Sequence, residues 1–394
     1  MKRPRSKSPL RLTRDAEKLI ALSTGIAASS SRSEDQFWEG EILALVRKLV
    51  GSGNDATLDA ALEHLLQSNT NAYDALAEMT ETGAESLQLE RDGTLHEVLL
   101  LAIPLVAWTK YALPSGPITA GQVAAIVPHL HGHVLARAAR FALSPFLYSI
   151  DQLPREFSAV HKLAEKLGNA AIDGQAPRFD FSRLPDTAPM LADVRFLIGA
   201  VAAPRGQPLF RWQELEEKTT RTECLERWVA QARPNLSKLL PGCAFESLIP
   251  DAFFVACRES DRRVRPYTVR AGVAFLEHTL KAPASNLRAF VAGVGVERID
   301  EYRIGFSVRG DDEVVHGIVW PLFGREDDES DPAPLAEIEA VLAECKVGEV
   351  VKHPGLFQPE FCEDCGAPLF ADADTDMVHP ELPEEADSTA ARYH

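Results

Sequence analysis

Apolar residues recur at helical spacing through the first quarter of the chain. Leu19, Ile20, Leu22 and Ile26 form one stripe, Ile42, Leu45, Val46 and Leu49 a second, and Leu58, Leu62 and Leu65 a third. Asp55 and Thr57 stand where a cap would start the third helix, and Gly51 with Gly53 closes the second. This spacing predicts antiparallel helices joined by short loops. The most apolar run, Val98–Trp108, carries Pro104 inside it and is flanked by Glu97 and Lys110. It is too short for a bilayer, which takes roughly 20 apolar residues, so it is expected in a core. Pro114-Ser-Gly-Pro117 marks a turn, and helical spacing resumes to about Val127.

Beyond Asp151 the pattern changes. Helices are predicted over 156–168, 212–240, 264–280 and 334–345. Strand-like runs cover 194–201, 288–295, 302–308 and 314–320, with Arg309-Gly-Asp-Asp312 as the hairpin turn between the last two. The expected fold is therefore α+β and predominantly helical. Its parts would be a basic, disordered tail (1–13), an α-helical bundle or stack (14–150), an α+β domain with antiparallel strands (151–345), and an acidic segment (346–394) with a Cys-x-x-Cys knuckle.

Charge changes this picture at one end. The net charge is −17, and from Asp311 onward there are 22 acidic and 4 basic residues, so the rest of the chain is nearly neutral. Such a surface repels nucleic acid and anionic lipid at long range. The basic start, Lys2, Arg3, Arg5, Lys7 and Arg11, has no apolar stretch and cleavage site behind it. With six scattered cysteines, too sparse for a disulfide framework, this points to a reducing, cytoplasmic setting.

Cys362-Glu-Asp-Cys365-Gly366 is the strongest chemical pattern. Two intervening residues put both sulfurs on one side of a tight turn, and glycine allows backbone N–H groups to face them. That is half of a zinc site. The missing ligands could come from His379, His353, Cys345 or a second chain. A metal-free reduced pair is the plain alternative. A redox dithiol is disfavoured, because Glu363 and Asp364 should raise the thiol pKa. Asp372-Ala-Asp374-Thr-Asp376 mimics a calcium loop, but Met377 and Pro383 stand where glycine and glutamate are required.

His129-Leu-His131-Gly-His133 alternates histidine with small or apolar residues. On a strand all three would share a face and His131 could attack a phosphate, as in the histidine-triad nucleotide hydrolases that this spacing resembles. On a helix only His129 and His133 would share one. Arg258, Arg262, Arg263, Arg265 and Arg270 crowd the start of a predicted helix. They suit a phosphate or carboxylate, or ordinary pairing with Glu259, Asp261 and the acidic C-terminal region.

Four segments carry a resemblance: Leu101-Ala-Ile-Pro-Leu-Val-Ala-Trp-Thr-Lys-Tyr-Ala-Leu-Pro-Ser-Gly116, Cys257-Arg-Glu-Ser-Asp-Arg-Arg-Val-Arg-Pro-Tyr267, Asp300-Glu-Tyr-Arg-Ile-Gly-Phe306 and Phe361-Cys-Glu-Asp-Cys-Gly-Ala-Pro-Leu369. The chain resembles a family of uncharacterised bacterial proteins catalogued as a domain of unknown function, and this resemblance implies no activity. The functional expectation is a non-catalytic interaction, scaffold or regulatory protein with a zinc-stiffened knuckle, acting on a protein partner or by self-association. A phosphate-ester or nucleotide hydrolase using His131, and a nucleic-acid-associated factor using the basic tail and arginines, are the competing readings.

Overall fold

A computed structural model describes residues 12–109, 112–187, 190–216, 218–323, 326 and 333–383. The basic tail up to residue 11 and the acidic stretch after 383 lie outside the described residues.

The predicted helices open the chain. They are α1 (Arg14–Ala27), α2 (Arg32–Ser52), α3 (Asp55–Ser68) and α4 (Thr70–Glu85). Their starts are fixed by side-chain caps: Thr13 accepts from the Ala16 N–H, Ser31 from Glu34 and Asn69 from Ala72. Gly53 ends α2 in the left-handed region, at φ 71°. Leu19, Ile42, Val46, Leu49, Leu58 and Leu76 close the bundle's core.

The chain then departs from the helical expectation. Strands β1 (Ser86–Arg91), β2 (Thr94–Trp108), β3 (Gly116–Pro117) and β4 (Arg140–Ser149) fall where a helical domain was expected, with α5 (Ala120–His133) between the last two. After α6 (Phe157–Asp173) come β5 (Ala192–Pro204), α7 (Arg221–Leu236), β6 (Ala244–Ser247) and β7 (Asp251–Ala252). These strands form one antiparallel sheet in the order β1-β2-β5-β4-β3, with β6 and β7 also pairing β2. Helix accounts for 45% and strand for 25%, so the fold is mixed α+β rather than predominantly helical. The physical reason lies in β2. Leu101, Ile103, Leu105 and Ala107 enter one core, and Leu100, Ala102 and Val106 enter another. A strand buried on both faces has no polar alternation to mark it.

Helices α5 and α7 cover one face of this sheet and α6 the other. The expected helix over 212–240 is shorter, because residues 211–213 form a single 3-10 turn and Thr220 caps α7 afresh. The long helix α8 (Phe253–Leu280) then joins two halves. Phe253 and Ala256 pack on the first sheet, whereas Val269, Val273 and Leu276 pack on a second.

Three strands of the second sheet follow the expected ones closely. The sheet holds β8 (Leu287–Val294), β9 (Glu301–Val308), β10 (His316–Pro321) and, after α9 (Pro334–Glu344), a fourth strand, β11 (Glu349–Phe357), which was not expected. The order is β10-β9-β8-β11, with β11 parallel to β8. A small hairpin of β12 (Phe370–Ala371) and β13 (Met377–Val378) closes the described chain. Among the described residues no helix is long and apolar enough to cross a membrane.

Candidate metal centre

The site is built on the outer face of the second sheet, opposite α8 and α9. Arg303 of β9 points there and is fully buried. Its Nε donates to Glu301 at 2.7 Å, and its Nη1 donates to the carbonyls of Glu360 (2.6 Å) and Leu369 (2.8 Å). Those two carbonyls bracket the cysteine turn, so one guanidinium clamps both ends of the loop. Phe361 lies over the same guanidinium at 5.0 Å.

Within the clamp the chain makes a knuckle. The Cys362 N–H donates to Ala367 O at 2.8 Å, and the Gly366 N–H returns to Cys362 O at 2.9 Å. Gly366 sits at φ 73°, the left-handed geometry expected of it. The β12–β13 hairpin then folds back, its turn tightened by the Asp372 carboxylate, which accepts from the Asp374 and Asp376 N–H groups at 2.9 Å. The acidic run is thus a turn device, in keeping with its poor match to a calcium loop. Val378 ends the hairpin, and the next residue, His379, arrives beside the cysteines.

Cys362, Cys365 and His379 each offer one ligand atom, and these atoms all lie within 4.8 Å of one another. Cys365 Sγ and His379 Nε2 are 3.3 Å apart. On the far side of the ring, His379 Nδ1 faces the Glu381 carboxylate at 3.8 Å. That spacing is an ion-pair contact rather than a hydrogen bond, and Glu381 is mostly exposed. The Cys362 thiol is pushed below its ordinary range by the backbone N–H groups of Cys365 and Asp364, with Cys365's side chain adding to this. The Asp364 charge opposes them more weakly, so the sign expected from the acidic neighbours is reversed. Two sulfurs, one readily ionised, and an imidazole suit zinc better than calcium or magnesium.

The other proposed ligands are elsewhere. His353, on β11, stacks on Phe290 with ring centroids 5.8 Å apart. Cys345 caps the end of α9 against the apolar core beneath it, and burial raises its thiol pKa.

His129, His131 and His133 lie on α5, so the strand reading fails: a Thr119–Gln122 capping box starts a helix that carries straight through Pro128. His129 and His133 stack on one side with centroids 6.2 Å apart, and His129 Nε2 meets the Asn235 amide at 2.9 Å. His131 is on a separate face, where burial lowers its pKa. The three do not converge.

The arginines are paired. Arg258 meets Glu81; Arg262 and Arg265 share Glu326 at 3.1 and 2.8 Å; Arg263 meets Glu246 at 2.8 Å; and Arg270 meets Glu344 at 2.8 Å. A cleft of about 720 Å³ between α8 and α9 is lined by four of these arginines and by Glu259, Glu326, Glu337 and Glu344. Its charges balance, which favours structural pairing over an anion site.

Sequence reasoning missed Arg303 and Glu381. An arginine between Tyr302 and Ile304, both fully or nearly fully buried, is an available signal, because a charge inside an apolar strand needs partners.

No curated protein and no solved structure matches the chain. A family described as protein of unknown function (DUF2863) matches residues 4–393. That match spans nearly the whole sequence, Cys362, Cys365 and His379 included, and the chain belongs to this family.

Proposed function

We propose that this chain is a zinc-carrying, non-catalytic protein that works through contacts made at its C-terminal knuckle. The convergence of Cys362, Cys365 and His379 carries the reading. Cys362 and Cys365 would bind as thiolates and His379 through Nε2, with Glu381 on the far side of the ring. The ion would tie His379, the residue that follows the hairpin, to the cysteine turn, and so stiffen a surface. The dispersed histidines and the paired arginines give a nucleotide-hydrolase reading no assembled site.

The test is elemental analysis of purified, untagged protein beside a Cys362→Ser, Cys365→Ser double variant. About one zinc per chain, lost in the variant, is expected. Cobalt substitution should add sulfur-to-metal charge-transfer absorption that His379→Ala weakens. Protein kept reduced and free of chelator that holds no zinc would end the reading.

A further inference from the structure

The knuckle carries an unusual surface. Strands β8 and β11 run parallel, with Val294 opposite Phe357 and Gly293 opposite Leu356. Both therefore end at the same corner, where the Gly295 N–H reaches Phe357 O at 2.9 Å. Val296, at 65%, and Leu356, at 39%, are exposed at these strand ends, and Phe361, at 56%, follows four residues after Phe357. Phe361 is held on the buried Arg303, whose strand position is opposite Ala292 of β8. A large aromatic kept in water on a rigid seat is a contact feature more than a packing one.

The segment that carries Phe361 is of one sign, although Arg298, paired with Asp300, and Lys352, paired with Glu339, flank the strand ends. Residues 353–383 contain seven carboxylates and no lysine or arginine. Glu360, Glu363, Asp364, Asp374 and Asp376 are exposed, and none of them makes an ion pair among the described residues. Elsewhere the fold spends arginines on its acids, as at Glu81, Glu246, Glu326 and Glu344. Here the charge is left open.

We infer that this corner docks a cationic segment of another protein, with a bulky apolar side chain of that segment covering Phe361. The inference rests on the contact reading above and names the partner's chemistry. Nucleic acid and anionic lipid are repelled by such a rim, and a second copy of this chain would bring like charges face to face. A lysine- or arginine-rich segment meets both the apolar seat and the rim.

The probe is a short labelled peptide of lysine and alanine with one central leucine, set against its glutamate-for-lysine twin. Fluorescence anisotropy with the full zinc-loaded chain at about 0.15 M salt reads binding. The cationic peptide should bind and its acidic twin should not. Phe361→Ser should weaken binding about tenfold. The remote control Leu66→Ser, on α3 and 56% exposed, should leave it unchanged. A Glu363→Gln, Asp364→Asn variant should slow association and flatten its salt dependence. Failure of the cationic peptide to bind, or equal losses in Phe361→Ser and Leu66→Ser, overturns the inference. So does a concentration-dependent dimer abolished by Phe361→Ser, which gives the corner to a second copy. Zinc is measured on the same samples. Peptide binding without zinc keeps the docking corner and removes the metal; zinc without peptide binding does the reverse.

Discussion

The two sheets solve the same problem with different materials. The first is covered by helices on both faces, and its large buried groups are mostly apolar: Phe196 of β5 and Trp228 of α7 are fully buried, with Arg195 of β5 as the charged exception, paired with Asp193 and donating to the Leu113 and Pro114 carbonyls. The second has helices on one face only. Its other face is covered by a thin layer in which Phe290, Val314 and Phe370 are the fully buried apolar residues. Phe370 fits there because Gly317 has no side chain; a Cβ at that position would fall 2.2 Å from the ring. With so little apolar area to bury, the knuckle must be held by other means, and the buried Arg303 is one that the site provides. The first sheet thus rests mainly on apolar area packed on both faces, whereas the second's outer layer, with little such area, depends on a polar clamp.

That contrast predicts where damage spreads. Trp228→Ala should be the largest effect, about 3–5 kcal/mol, because it empties the core between α7 and the first sheet. It also strips Ser247 Oγ and Leu248 O of the indole N–H that reaches them at 3.0 and 3.2 Å. Thermal and denaturant unfolding should show it as a loss throughout the first sheet. Arg303→Met comes next, at about 3 kcal/mol, since the Glu360 and Leu369 carbonyls and the Glu301 carboxylate lose their shared donor. Its loss should stay local. Hydrogen exchange should quicken in 358–383 and leave β2 and β5 protected. Equal exposure of both sheets in Arg303→Met would break the comparison.

A third effect concerns the junction between the bundle and α8. Glu85, at the end of α4, is buried and accepts the Phe254 N–H at 3.0 Å, which caps α8 where its own sequence provides no cap. Burial pushes its carboxyl from 4.5 to about 7; Glu81 and Asp251 push the same way, and the Phe254 N–H and Arg258 oppose them. A raised acid pKa means that the folded state holds the proton more tightly. Stability from this group is full below pH 4.5 and falls as pH rises to about 7. Glu85→Gln keeps an acceptor for Phe254 and removes the titration. It should gain about 2 kcal/mol over the parent at pH 8, with the difference shrinking towards pH 4. Urea midpoints at the two pH values check this, and a difference that grows as pH falls would reverse the assignment.

How much of this could be read from residues alone differs between the same two regions. Three strands of the second sheet, β8, β9 and β10, sit between clear turns, and the structure places them within a residue or two of expectation, whereas β11 was not expected. Of the first sheet only β5 was expected, at 194–201; β2, apolar on both faces, read as generic core, and its partners were hidden with it. The cysteine pair was legible as half a site, since its chemistry is local. Choosing His379 over His353 and Cys345 needed the β12–β13 hairpin, a long-range fact that spacing does not contain. The histidines were open to a strand and to a helix. Their period of two suggested a strand, whereas the Thr119–Gln122 cap and the tertiary contacts of α5 made a helix.

The smallest effect should be found at the arginines lining the cleft between α8 and α9. Arg263 is 53% exposed, and its partner Glu246 also accepts a hydrogen bond from the Tyr267 hydroxyl. These guanidinium and hydroxyl donors hold the Glu246 carboxyl below its ordinary range although burial works against them. Because the pair is half in water, Arg263→Ala should cost less than about 1 kcal/mol. A double-mutant cycle with Glu246→Gln should give a coupling of about 0.5 kcal/mol that fades in high salt. Tyr267, stacked on Trp108 at 4.3 Å, keeps α8 seated on the first sheet in either variant. The cycle separates two uses of arginine in one protein: a surface pair that water largely replaces, and the buried Arg303, which it cannot reach. A coupling at Arg263 as large as the loss at Arg303 would mean that the cleft is dry in solution. The distinction between an apolar first sheet and a clamped second one would then no longer follow from burial.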